Sequence, residues 1–123
     1  MRACGDSAQA AALLKEGLLL YQRFNHKLGV ATALEGFAGL AVAKDAALGT
    51  TERAAQLFGA ADTIRQAIGA PLPPVDLPDH ERDIATLRDL LSNEMFARAW
   101  AKGQAMSLDQ AVVYALNDTH PEI

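Results

Sequence analysis

Residues 53–69 read RAAQLFGAADTIRQAIG, and this stretch decides the fold. Its core-type positions recur in steps of three and four, the period of an α-helix, and they are Ala54, Leu57, Phe58, Ala61, Ile64, Arg65 and Ile68. Thr50 or Thr51 can cap the start of this helix, and Gly69 followed by Pro71 marks its end. Alanine and glycine between the large residues predict tight packing of helix on helix.

Two helices are predicted before this stretch. The first is capped by Asp6 or Ser7 and stops within residues 25–29, and its apolar positions are Ala10, Leu13, Leu14, Gly17, Leu20, Tyr21 and Phe24. The second runs from about Val30 to Ala47, with Leu34, Phe37, Leu40 and Ala41 on one side. Gly36 and Gly39 inside it each cost roughly 1 kcal/mol relative to alanine, which predicts close backbone contact with a neighbour.

Three further helices are predicted after a proline-rich linker at residues 71–78. Pro78 suits the first turn of the fourth helix, Ser92 begins the fifth and Gly103 ends it. Ser107 and Gln110 fit a capping box at the start of the sixth. No alternating run of β-branched residues or Asn-Gly turn predicts a strand. The expected fold is therefore all-α, with about six helices, and with a C-terminal helical segment at 79–118 packed on residues 1–70 and a frayed tail at 119–123.

Composition and charge exclude several classes of protein. The chain has 123 residues, is 50% hydrophobic and carries a net charge of −4, so it can bury a core. Residues 71–123 hold 4 basic and 9 acidic side chains, which argues against binding of nucleic acid by this chain alone. Cys4 is the only cysteine, and neither a signal peptide nor a membrane-spanning run is present in the sequence. We expect a cytoplasmic protein without a membrane partner.

An internal repeat emerges when the chain is shifted by 44 residues. Seven positions then keep their size and apolar character over about four helical turns: Ala10 and Ala54, Ala11 and Ala55, Leu13 and Leu57, Leu14 and Phe58, Gly17 and Ala61, Leu20 and Ile64, and Phe24 and Ile68. Helical repeats of this kind stack so that each unit buries the face of the next.

The spacing of small and large residues resembles the tetratricopeptide repeat. Ala10-x3-Leu14-x2-Gly17 and Ala54-x3-Phe58-x2-Ala61 look like its second helix, and Leu34-x2-Phe37-Ala38-x2-Ala41 resembles its first. The period of 44 exceeds the usual ~34, and Ala41 stands where tyrosine is common. The resemblance implies antiparallel helix hairpins that form a right-handed superhelix.

The long period is similar to the helical-repeat regions of LuxR-type regulators and large signalling ATPases of bacteria. Residues 57–61, 65–74 and 96–111 look like the closing portion of such proteins. In that family this region lies between a nucleotide-binding module and, often, a helix-turn-helix. The resemblance implies that the chain is a truncated product or a C-terminal fragment of a regulator.

The sequence contains no motif that predicts a catalytic, cofactor or metal site. It has no P-loop, and Gly36-x2-Gly39 lacks the turn and preceding strand of a dinucleotide site. His26, His80 and His120 are too far apart to share a helix face as metal ligands. Cys4 has no neighbouring base. We therefore predict no catalytic residue, cofactor or metal site.

Three other clusters have ordinary structural explanations. The acidic group Asp79, Glu81, Asp83 and Asp89 complements a helix dipole. Phe96 and Trp100, four residues apart, are expected in the core. Residues 99–116 superficially resemble a helix-turn-helix. However, Asp109 stands where that motif has an apolar residue, and the second helix lacks the Arg or Lys that would bind phosphates.

We predict a non-catalytic module that binds a protein or peptide partner, with a second copy of itself as one option. Its inner groove is expected around Thr32, Glu35, Gly39 and Val42. Two alternatives stay open: a DNA-binding regulator domain built on the C-terminal helices, and a small helical enzyme whose polar site escapes recognition in the sequence.

Overall fold

The computed structural model describes residues 4–43 and 48–117. These residues form six helices, namely α1 (Cys4–Arg23), α2 (Lys27–Ala43), α3 (Leu48–Ile68), α4 (Leu77–Leu90), α5 (Asn93–Gln104) and α6 (Leu108–Asn117). A short 3₁₀ turn, Pro74–Asp76, precedes α4. Within the two described ranges no residue lies in a strand, and the all-α prediction is confirmed. The tail predicted at 119–123 lies outside the described residues.

Helix α3 is the centre of the packing. Helices α2 and α5 each pack along it, and α2 also packs against α1, so that α2 separates α1 from α3. Helix α6 lies across α1, α2 and α3, while α4 contacts α2, α3 and α5. The largest fully buried side chains come from five of the helices, and they are Leu18, Val30, Leu34, Leu57, Leu87 and Val112.

The backbones of α3 and α5 touch where they cross. A Cβ added at Gly59 would collide with the carbonyl of Trp100, and one added at Gly103 would lie 2.8 Å from the amide nitrogen of Ala60. Both glycines are buried, because the missing side chain of each leaves room for the backbone of the other helix. Gly103 was predicted to end its helix. It lies in the last turn of α5, which ends one residue later, at Gln104.

Two left-handed residues end α1 and α3. Gly69 (φ 68°) follows α3 as predicted, and the amide of Ala70 donates to the carbonyl of Arg65 at 3.0 Å. Asn25 (φ 55°) ends α1 in the same way, with the amide of His26 donating to Tyr21 at 2.8 Å. Asparagine tolerates this region better than other residues that carry a Cβ.

Helix α2 begins three residues earlier than predicted. The Nδ1 atom of His26 accepts a hydrogen bond from the amide of Gly29 at 2.9 Å, so the histidine caps the helix. Gly29, expected to follow a helix end, therefore lies in the first turn of α2, where the ring of Tyr21 fills the space of a Cβ. The predicted end of this helix at residues 44–47 lies outside the described residues.

Other predicted caps have mixed outcomes. Ser107 and Gln110 form the capping box, with amide-to-side-chain distances of 3.1 and 2.9 Å, and Ser92 caps α5. Pro78 lies in the first turn of α4. Thr50 and Thr51 do not begin α3, which already starts at Leu48.

Candidate functional site

The predicted groove residues lie on α2, where two of them contact one arginine. The hydroxyl of Thr32 and the carboxylate of Glu35 both accept hydrogen bonds from Arg65. A Cβ added at Gly39 would lie 3.6 Å from a carboxylate oxygen of Asp83 on α4, and Val42 packs against the core. These positions therefore serve contacts within the chain, and their role in binding a partner stays a prediction.

Arg65 and Glu35 form a nearly buried ion pair. Nε and Nη2 of Arg65 donate to the two carboxylate oxygens at 2.7 and 3.0 Å, a bidentate geometry. Nη1 donates to the carbonyl of Ala70 at 3.1 Å and reaches that of Pro71 at 3.5 Å. The hydrogen bond with Glu35 raises the pKa of Arg65. The pair joins α2, α3 and the proline-rich segment. Its two charged groups are therefore already used in contacts that hold the fold together.

A cleft of about 500 Å³ opens beside this ion pair, between α3, α4 and the proline-rich segment. His80 at its wall meets Phe58 edge-on, with ring centroids 5.1 Å apart. Asp62, also at the wall, accepts a hydrogen bond from Gln66 at 2.7 Å. Within the described part of the chain, no three His, Cys, Asp or Glu side chains are grouped to hold a metal ion.

A second cleft, of about 620 Å³, lies between α4 and α5. Phe96 is buried at its floor, and the half-buried Trp100 stands beside it with ring centroids 5.6 Å apart. The guanidinium of Arg88 covers the face of Phe96 at 4.5 Å from the ring centroid. The expectation of core packing is confirmed for Phe96, whereas Trp100 is shared between the core and this surface.

The acidic residues of α4 have different environments. Asp79 accepts a hydrogen bond from Arg82 at 2.8 Å in an exposed pair of little energetic weight. Asp83 is half-buried against α2, and burial raises its pKa, while the nearby Arg82 opposes that shift. Asp83 is thus the half-buried member of this acidic group, whereas Asp79, Glu81 and Asp89 are exposed.

Helices α5 and α6 follow each other in sequence but do not pack as a pair. Over the described residues they share at most marginal contact, because α5 packs on α3 and α6 lies across α1, α2 and α3. Asp109 stands in the first turn of α6, and the last turn has no basic residue. Arg53 of α3 instead donates to the last carbonyls of α6, at 3.2 Å for Ala115, and lies over the ring of Tyr114.

Helix α1 leaves much of its apolar surface open. Leu13, Leu20 and Phe24 are 68%, 49% and 73% exposed. The helical pattern had grouped them with the face turned to the core. The structure instead buries Leu18, which that pattern had left out, because among the described residues α1 packs mainly on α2 and only lightly on α6. The exposed surface was therefore missed from the sequence.

Over the described residues, no helix has both the length and the hydrophobicity needed to cross a membrane. No family model and no solved structure matches the chain. Relatives from Mycobacterium bovis and Mycobacterium tuberculosis are 33% identical over 110 residues, and each is named "Putative HTH-type transcriptional regulator". The match covers 89% of this chain but 11% of each relative.

Proposed function

We propose that this chain is a non-catalytic helical-repeat module of a bacterial transcriptional regulator and acts by binding a protein or peptide partner. The similarity to mycobacterial proteins named as regulators supports a role in transcription. The likeness to the long-period repeats of LuxR-type regulators supports the same class, and the tetratricopeptide-like superhelix is part of the proposal.

The separation of α5 from α6 is the observation that favours a protein partner over DNA. A helix-turn-helix presents its second helix to the major groove from a packed helix pair. Here α6 is packed across α1, α2 and α3, its first turn carries Asp109, and α5 makes only marginal contact with it. The described charged groups at the centre of the fold, Arg65 and Glu35, already pair with each other.

A second candidate function is direct binding of DNA. The name of the mycobacterial relatives contains the term HTH-type and thus favours this candidate more directly than it favours the first. Arg98 and Lys102 also lie exposed on α5, although Arg98 pairs with Glu94 at 3.1 Å. These two cations are the residues of α5 that could contact phosphate.

Fluorescence anisotropy with labelled mixed-sequence DNA duplexes separates the two candidates. For a protein-binding module we expect no saturable binding at low salt. DNA binding would give saturation, a steep loss of affinity with added salt, and a loss in the Arg98→Ala/Lys102→Ala variant. Arg82→Ala, which removes an exposed cation of α4, is the matched control.

A thermal-shift screen with peptides tests the binding role itself. The proposal expects at least one peptide class to raise Tm, because a ligand that binds only the folded state stabilises it. No stabilisation by any peptide, together with a strictly monomeric mass, would contradict the proposal.

A further inference from the structure

Helix α1 carries an apolar row on its open side, here called the α1 stripe: Leu13, Gly17, Leu20 and Phe24. Phe24 directly follows the last residue of α1, and its amide continues the helical hydrogen bonding by donating to the carbonyl of Leu20 at 3.0 Å. Steps of four, three and four residues place the row along one side of the helix. Leu14 and Leu18 of the same helix pack into the core, and none of the described helices covers the stripe. Leu13 and Phe24 stand about 16 Å apart along the axis at 1.5 Å per residue.

The order of side-chain sizes in the α1 stripe is self-complementary. When a second α1 runs antiparallel to the first, Leu13 of one copy meets Phe24 of the other. In the same register Gly17 meets Leu20, so the smallest residue receives a large one. The two-fold axis repeats both pairings, which gives four successive contact layers. This spacing of apolar residues is the seam pattern of paired helices.

Charges beside the stripe favour the same arrangement. Glu16 and Arg23 are exposed, and each directly precedes a stripe residue, so both lie on the same flank. In an antiparallel pair, Glu16 of one copy faces Arg23 of the other, twice. In a parallel pair the flank with Glu16 and Arg23 would instead face the other flank of the partner copy's α1. On that flank Leu14 and Tyr21 pack against Gly36 and Gly29 of α2.

We propose that two copies of this chain associate through their α1 stripes as an antiparallel, two-fold symmetric dimer. An isologous contact of this kind uses one patch on both partners and closes at two copies. The dimer is one form of the protein binding proposed above and rests on that proposal, but a monomer that a peptide stabilises would overturn the dimer alone.

Sedimentation velocity of the full chain across a wide concentration range tests the association. A dimer is expected, and Leu20→Glu should weaken it by about thirtyfold or more, since it places a charge in the central layers of both copies. Val75→Glu is the matched control, because Val75 is 81% exposed on the 3₁₀ turn. A monomer at every concentration, or a dimer unchanged by Leu20→Glu in a chain with native helix content, would overturn the proposal.

Charge reversal tests the antiparallel register without touching the apolar residues. Glu16→Arg and Arg23→Glu should each weaken the dimer by about fivefold to tenfold, through two like-charge contacts. The double variant should recover the original affinity. The two positions are seven residues apart in one helix and are not direct i, i+4 partners there, so recovery reports contact between copies. Failure of the double variant to recover would refute the register.

Discussion

Substitution of Gly103 by alanine is a sharp test of how α3 and α5 pack. The added Cβ would overlap the carbonyl oxygen of Gln56 and lie 2.8 Å from the amide nitrogen of Ala60. Both are backbone atoms of α3 and cannot rotate away, so the two helices must move apart. Overpacking of this kind costs about 1–3 kcal/mol and sometimes more.

Alanine also brings a higher helix propensity than glycine. This gain is about 1 kcal/mol in a helix interior and less near the end of α5, so it offsets only part of the overlap. We expect Gly103→Ala to lower the free energy of unfolding by about 2 kcal/mol, which corresponds to a fall in Tm of roughly 8 °C for a chain of this size.

Gly39→Ala is the matched control for this experiment. A Cβ at Gly39 would lie 3.6 Å from Asp83, an ordinary contact, so the variant should gain about 0.5–1 kcal/mol. Urea denaturation followed by circular dichroism measures both variants. If Gly103→Ala is neutral or stabilising like Gly39→Ala, the close approach of the two backbones is wrong.

Three further predictions concern the buried ion pair, a helix cap and a carboxyl group. Glu35→Ala leaves the guanidinium of Arg65 buried without its carboxylate partner, and urea denaturation should show a free energy of unfolding lower by about 3 kcal/mol. The double variant Glu35→Leu/Arg65→Met should lose less stability than the sum of its two single changes. Ser107→Ala should cost about 1 kcal/mol through loss of the α6 cap, and Ser107→Gly only a few tenths. Burial raises the pKa of Asp83 in the folded state above its unfolded value of 3.8. The stability contributed by the protonated carboxyl group is fully present below that unfolded value and is lost as pH rises through the folded pKa. Asp83→Asn should therefore raise Tm at neutral pH, and melts at falling pH should show that the gain shrinks toward about pH 4.

The helices could be predicted from local chemistry. The three-four period of α3 and the capping box at Ser107 depend on residues close together in the chain, and the structure contains both. The start of α2 could not be placed this way, because its cap is the Nδ1 atom of His26, a residue type that rarely signals a helix start. The role of Gly103 required knowledge of the partner helix, so its sequence position alone suggested a helix end.

The surface of α1 was hidden for a related reason. Periodicity shows which residues share a side of a helix, but it does not show whether another helix covers that side. The pattern placed Leu13 and Phe24 with buried residues, whereas α1 packs mainly on α2 and leaves both exposed. The ion pair between Arg65 and Glu35 joins residues 30 positions apart, and no local pattern pairs them.

Hydrogen exchange of the amides, measured with and without mixed-sequence duplex DNA at low salt, tests the central claim most directly. The claim is that this chain works through contacts with protein and not with phosphate. It predicts that exchange in Asn93–Gln104 and Leu108–Asn117 stays the same when DNA is added. Protection of α5 or α6 that appears with DNA and disappears at high salt would contradict it.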